Sequence, residues 1–221
     1  MKVILFGATG MIGQGALREC LIDPDVTEVL AVVRQPTGQQ HTKLRELVRK
    51  DFTDYSDITN ELTGYDACFF CLGTSSAGMK EDAYRRITYD FTLAAAHAIV
   101  PRNPALTFIY ISGEGADTTE SGRIMWARVR GKTENDLLAL PSEKVYIIRP
   151  AVIQPLHGIE ARQRWTRVLY KVTAPLLPVL RALAPKYVTD TERLGRAMLL
   201  IAKQGAPKHI LYTPDVNALT A

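Results

Sequence analysis

The sequence predicts an α/β fold, a doubly wound parallel sheet of about seven strands with helices on both faces. Three observations carry this. Strand-like and helix-like segments alternate along the chain. Several strand segments are unbroken apolar runs, as expected of strands covered on both faces. The first of them runs straight into a glycine triplet that opens a helix.

Seven segments read as strands: Lys2–Phe6, Glu28–Val33, Glu46–Lys50, Asp66–Leu72, Leu106–Ser112, Lys144–Arg149 and His209–Tyr212. They are rich in the β-branched and aromatic side chains that suit a pleated surface. Segments with helical spacing of apolar residues fall between most of them: Met11–Ile22, Glu81–Val100, Gly122–Leu140, Glu160–Ala174 and Thr189–Lys203. There is no internal repeat and no linker, so residues 1–221 read as a single domain. The longer irregular parts after Ala151 predict a small substrate-covering lobe over residues 151–186.

Composition excludes several classes. With 221 residues, 47% hydrophobic and 23% charged, the chain is not disordered, collagen-like or a coiled coil. Its apolar runs fall far short of the ~20 residues that span a bilayer. The opening run breaks at Gly7, too early for the apolar region of a signal peptide. Cys68 and Cys71 form a CxxC, but on a strand residues three apart face opposite ways, so they read as core residues. Three cysteines make no disulfide framework, which predicts a reducing, cytoplasmic home. His41, His97, His157 and His209 are scattered and predict no metal site.

The net charge is +4, and it has a location. Between His157 and Lys186 stand Arg162, Arg164, Arg167, Lys171, Arg181 and Lys186 against Glu160 alone. The stretch reads as a solvated helix face, with a weak membrane-surface or protein contact as the alternative. Nothing in the chain has the pattern of a nucleic-acid module.

The glycine loop is the most informative motif. GATGMIG puts Gly7, Gly10 and Gly13 three apart, between the first strand and the first helix. In this context Gly7 serves the tight turn, Gly10 the close approach of backbone to a pyrophosphate, and Gly13 close packing of helix on strand. The helix N-terminus then offers N–H groups and a positive dipole end to phosphate. The second strand discriminates between dinucleotides. An acid at its tip would grip ribose hydroxyls and select NAD. Here the tip is Arg34, whose guanidinium suits a 2′-phosphate, so NADP(H) is the expected cofactor. After the third strand, Asp51 can accept the adenine amino group.

GATGMIG, Asp51-Phe52, Cys71-Leu72-Gly73-Thr74 and Arg149-Pro150 stand in the order found in atypical short-chain dehydrogenases/reductases. Ser75 after CLGT, YISGEGAD from Tyr110 to Asp117, and RGKTEND from Arg130 to Asp136 most resemble the Tat-interacting NADPH-binding oxidoreductase branch. The resemblance implies a Rossmann-like sheet with the cofactor across the strand carboxyl ends. It implies that Thr9, Gly10, Met11 and Ile12 wrap the pyrophosphate. Asp51 and Phe52 would lie at the adenine, and Leu72, Gly73 and Thr74 along the adenine-ribose region. Pro150, Ala151 and Val152 would lie by the nicotinamide, and Ser112 at the family's catalytic serine.

The departure is at the chemistry. Where the family has Tyr-x-x-x-Lys, this chain has Trp126 and Arg130. Residues four apart share a helix face, so both can still face the cofactor, and Arg130 can bind ribose hydroxyls. An indole N–H only donates and cannot exchange a proton with a carbonyl. Losing that proton transfer costs about 10²–10⁴-fold. Glu114, beside Ser112, is a candidate substitute, and Ser75, Ser76, Gly78 and Lys80 form a polar loop within reach of a ligand. The expected function is an NADP(H)-binding oxidoreductase acting on a small carbonyl or alcohol, as monomer or homodimer. The alternative is a non-catalytic NADPH-binding redox sensor or protein-interaction module.

Overall fold

The structure, a computed structural model, describes residues 1–159 and 184–221. Its main sheet has seven strands, all parallel: β1 (Lys2–Phe6), β2 (Glu28–Val33), β3 (Leu44–Val48), β4 (Ala67–Phe70), β5 (Thr107–Ile111), β6 (Val145–Arg149) and β9 (Ile210–Tyr212). Their spatial order is β3-β2-β1-β4-β5-β6-β9. The chain builds outward from β1 in one direction and then returns to build from β4 in the other. The carboxyl ends of β1 and β4 therefore flank the switch point, where open α/β sheets take ligands.

Strand alternation divides the core between the two faces. Val3, Leu5, Val29, Phe69 and Ile148 pack under α1 (Met11–Ile22) and α5 (Thr191–Gln204), against Leu17, Leu194 and Met198. Ile4, Phe6, Leu30, Phe70 and Phe108 pack under α3 (Phe91–Ile99) and α4 (Met125–Leu138), against Ala96, Ile99 and Leu137. Cys68 belongs to the second face and Cys71 packs against the first, and all three cysteines are free thiols. The expectation that the CxxC makes no bridge is therefore met.

Most predicted elements are present, with shifted ends. The third strand is Leu44–Val48 rather than Glu46–Lys50, because it pairs with β2 from Val29 opposite Leu44. It is an edge strand, and its Arg45 and Glu46 are too polar for the apolar pattern to fix its start. The long helix after β4 is three consecutive pieces: α2 (Glu81–Arg85), a π turn (Arg86–Asp90) and α3. A π turn inside a helix commonly marks a site where side chains are re-aimed. Helix α4 begins at Met125, not Gly122. The segment expected to begin a helix at Thr189 first makes a strand, and α5 starts at Thr191, where the Asp190 carboxylate accepts from the Arg193 amide at 2.8 Å.

Four of the described elements escape the sequence pattern. A 3-10 segment kinked at Ile58 occupies Ser56–Leu62. Two short strands, β7 (Val152–Gln154) and β8 (Val188–Asp190), pair in parallel as a separate small sheet. A C-terminal helix, α6 (Thr213–Leu219), follows β9. The small sheet joins the two ends of the expected lobe at residues 151–186. The helix predicted at Glu160–Ala174 and most of the basic stretch lie outside the described residues.

Candidate functional site

Two loops cross at the switch point. Gly7 follows β1 with φ of 78°, a backbone state that only glycine takes freely. A Cβ there would lie 2.6 Å from the Cys71 carbonyl oxygen, so the β1 and β4 loops touch through backbone. The Cys71 amide donates to the Phe6 carbonyl at 3.0 Å and fixes that contact. A Cβ on Gly13 would lie 2.0 Å from the Gly7 carbonyl oxygen, which presses α1 onto the turn. Gly10 is the N-cap of α1, and its amide donates to the Gly7 carbonyl at 2.9 Å.

The start of α1 is open. No side chain caps it and its first turn holds no acid. The first amides of a helix have no intrahelical acceptor, and here they face the crevice together with the dipole's positive end. Thr9, Met11 and Ile12, all half-buried, line this turn. A bound pyrophosphate would supply the missing acceptors, so these residues fit a dinucleotide.

The adenine side is built from exposed polar groups. Arg34 stands exposed just beyond the end of β2. Asp51 is exposed, and one carboxylate oxygen accepts from the Thr53 amide and hydroxyl at 2.8 and 2.7 Å. Those bonds, with Arg49 and Arg86 nearby, hold its carboxyl below the usual range. Phe52 departs from expectation. Its ring is 1% exposed and packs on Phe6 and Phe91, so it belongs to the core. Leu72, Gly73 and Thr74 continue from the crossing point along the β4 loop, with Gly73 open to solvent.

The opposite half of the crevice is made by the ends of β5 and β6 and by α4. Ser112 follows β5 and is buried at 4% exposure. Its hydroxyl hydrogen-bonds Glu134 on α4. Glu134 is fully buried and forms a two-oxygen ion pair with Arg149, whose Nε lies 3.1 and 3.0 Å from the two carboxylate oxygens. Arg149 Nη1 donates onward to the Tyr212 hydroxyl at 3.1 Å. Neither Glu134 nor the Arg149 pairing follows from local sequence. The available signal is Arg149 itself, a charge that ends the apolar strand VYIIR and needs a buried acid.

Trp126 and Arg130 sit one turn apart on α4, as the i, i+4 spacing predicts. The Trp126 ring edge lies against Gly115, where a Cβ would come within 3.1 Å of it. Arg130 Nε donates to the Tyr84 hydroxyl of α2 at 2.9 Å. Its Nη1 is buried without a partner among the described residues, and a Cβ on Gly113 would lie 3.1 Å from it. An unpaired guanidinium nitrogen beside the β5 loop fits a ribose hydroxyl. Burial works against the charge, but the phenols of Tyr110 and Tyr84 hold the Arg130 pKa above its ordinary value. Tyr84 is 1% exposed and is absent from the site read from the sequence, because its partner Arg130 lies 46 residues away.

Pro150 follows β6, and its carbonyl accepts from the Glu114 amide at 3.1 Å. Ala151 donates its amide to the Thr213 hydroxyl at 3.0 Å, and Val152 opens β7. Glu114 is exposed and lines a cleft of about 360 Å³ with Lys186, Tyr187, Lys208 and Tyr212. Among the described residues no group of three or more His, Cys, Asp or Glu is arranged to hold a metal ion.

Residues 7–139, from the first glycine to the end of α4, match the model of a family described as NAD(P)H-binding. The chain belongs to this NAD(P)H-binding family. Its parallel seven-stranded sheet flanked by helices is a Rossmann-like architecture. Curated relatives include "Protein FMP52, mitochondrial" of Meyerozyma guilliermondii, 28% identical over 155 residues, 69% of this chain and 65% of that protein. The protein of the same name from Saccharomyces cerevisiae is 29% identical over 180 residues, 80% of this chain and 74% of the relative. The match to the first of these thus spans just under two thirds of its length.

Solved structures agree on the fold. A short chain dehydrogenase family protein from Francisella tularensis subsp. tularensis superposes with a TM-score of 0.69 at 11% identity, over 98% of both chains. The Bordetella bronchiseptica enzyme WbmF, in complex with NAD+, gives 0.70 at 14% identity over 98% of this chain and 76% of that one. One expectation is corrected by the relatives. Three free cysteines predict a cytoplasmic chain, but the curated relatives are named mitochondrial, which overturns that reading. Free thiols indicate a reducing environment and do not separate one reducing compartment from another.

Proposed function

We propose that the chain is an NADPH-dependent oxidoreductase of the atypical short-chain dehydrogenase/reductase type, close to the Tat-interacting branch. Its substrate is a small carbonyl or alcohol, and its proton route differs from Tyr-x-x-x-Lys. The observation that carries the reading is the backbone crossing of Gly7 with Cys71 and Gly13 at an uncapped helix start. Thr9, Gly10, Met11 and Ile12 would hold the pyrophosphate, Arg34 the 2′-phosphate, and Arg130 the nicotinamide ribose. When bound, the nicotinamide supplies hydride chemistry, and Pro150 to Val152 would flank it.

Trp126 favours a second reading, a non-catalytic NADPH sensor. It donates where an acid should exchange a proton, and no tyrosine stands on that face of α4. In that reading the basic stretch 157–186 is the first suspect for a protein or membrane-surface contact, and the chain works as monomer or homodimer.

Calorimetric titration with NADPH and NADH tests the shared part. NADPH should bind at least tenfold more tightly than NADH, and Arg34→Ala should remove most of that difference, one charge-assisted contact being worth about 1.5–3 kcal/mol. Equal binding of the two would remove the NADP assignment, and no binding of either would remove the cofactor reading.

A further inference from the structure

The β9 end of the sheet's carboxyl edge carries a second recess. Its volume, about 360 Å³, falls in the range of roughly 300–1,000 Å³ that small-molecule sites occupy. One side is built by the 3-10 turn Pro185–Tyr187, the end of β9 and the start of α6, which bring Lys186, Tyr187, Tyr212 and Asp215 together with Lys208. Glu114 reaches the cleft from the loop after β5, on the other side of β6. Tyr187 and Tyr212 are 42% and 37% exposed, so two phenol rings stand open in one recess.

The polar groups of the cleft are unequally committed. Lys208 Nζ and Asp215 Oδ1 pair at 2.9 Å, and Asp215 Oδ2 accepts from the Tyr212 amide at 2.7 Å, so both side chains are occupied. The Tyr212 hydroxyl accepts from Arg149 Nη1 at 3.1 Å. A guanidinium only donates, so the phenol keeps its own proton, and no acceptor stands against that proton among the described residues. Lys186 has no acidic partner among the described residues, and its Nζ lies 5.0 Å from the centre of the Tyr187 ring. The recess therefore offers a cation, a phenol proton and two ring faces, which suit a flat ring that bears an anion. Glu114 repels an anion, but β5 and β9 stand two strand spacings apart, roughly 10 Å, so the anion is drawn to the β9 side.

We propose that this cleft is a binding site for a small aromatic carboxylate, whose ring packs on Tyr187 and Tyr212 and whose carboxylate is held by Lys186 and the Tyr212 hydroxyl. None of these residues is among the dinucleotide contacts proposed above, so the site is tested without the cofactor and stands apart from that reading.

Calorimetric titration of the full chain with benzoate, benzamide and cyclohexanecarboxylate is the test. Benzoate should bind with a Kd of about 1 mM or tighter, a modest affinity for a ligand of its size. Benzamide, which lacks the charge, should bind at least tenfold more weakly. Cyclohexanecarboxylate should bind about threefold more weakly, since it keeps the charge and loses the aromatic contact. Lys186→Met and Tyr212→Phe should each weaken benzoate about five- to tenfold, the worth of one charge-assisted hydrogen bond. Lys2→Met makes the same charge loss at the amino end of β1 and should leave benzoate affinity within twofold. Tyr212→Phe also takes a bond from Arg149; if that variant does not fold, Lys186→Met, a change at an exposed side chain, decides. Benzamide binding as tightly as benzoate overturns the proposal. So does benzoate affinity that Lys186→Met leaves unchanged or weakens no more than Lys2→Met does, and so does a protein that binds no benzoate at ten times the expected Kd.

Discussion

The two halves of the crevice are built from different materials. The β1–β4 half is made of backbone. Its shape comes from Gly7 and Gly13, where any side chain would collide with a neighbouring carbonyl, and its charge comes from amides at the start of α1. The β5–β6 half is made of side chains brought together from distant parts of the chain: Ser112, Glu134, Arg149 and Tyr212, with Tyr84 and Arg130 beside them. The first half keeps the family's pattern. In the proposed reading the second half carries Trp126 and Arg130 at the positions of the family's acid and lysine. Binding of a shared cofactor restricts a backbone cradle strongly, while the groups that act on a substrate can be exchanged when buried partners change with them.

Mutations should separate the halves. The largest effect belongs to Glu134→Ala, which leaves the buried Arg149 guanidinium without its ion pair. Stability should fall by about 3–5 kcal/mol, roughly 10 °C in Tm, measured by urea and thermal unfolding. A loss below about 1 kcal/mol would mean that the pair is not the anchor of this half.

Gly13→Ala should act on the other half. The new Cβ would stand 2.0 Å from the Gly7 carbonyl oxygen, so α1 must move off the turn. The expected cost is about 1–3 kcal/mol of stability, together with at least a tenfold loss of NADPH affinity. Unchanged affinity in calorimetry would separate the helix start from phosphate binding.

The smallest effect concerns Cys71, at the junction of the loops. Burial pushes its thiol up to about 12. A raised pKa keeps a thiol protonated, and therefore unreactive, at pH values well below it. Iodoacetamide should label Cys71 very slowly at pH 8 and faster only as the pH approaches the thiol's own value. Rapid labelling at neutral pH would show that the crossing opens readily.

The same division explains what was legible. Glycine spacing and strand runs are local features, and they predicted the sheet and its order of elements. The edge strand β3 slipped by two residues because Arg45 and Glu46 hide its pairing. The small β7–β8 sheet joins segments more than thirty residues apart, with only three residues in each strand, too short to show a period. The resemblance places Phe52 at the ligand with Asp51, yet its ring is buried against Phe6 and Phe91, a long-range packing that the local motif does not show. Glu134 stood inside RGKTEND without a role, since its partners Ser112 and Arg149 lie 22 and 15 residues away.

The central claim is that cofactor binding is intact while the usual proton donor is missing. Restoring the donor tests it directly, with Trp126→Tyr and Arg130→Lys combined in one protein. NADPH affinity should stay within about threefold of wild type, while NADPH oxidation over a panel of small aldehydes and ketones should rise at least tenfold, the lower part of what general acid catalysis contributes. A wild-type protein that already reduces the panel as fast as the double variant would contradict the account.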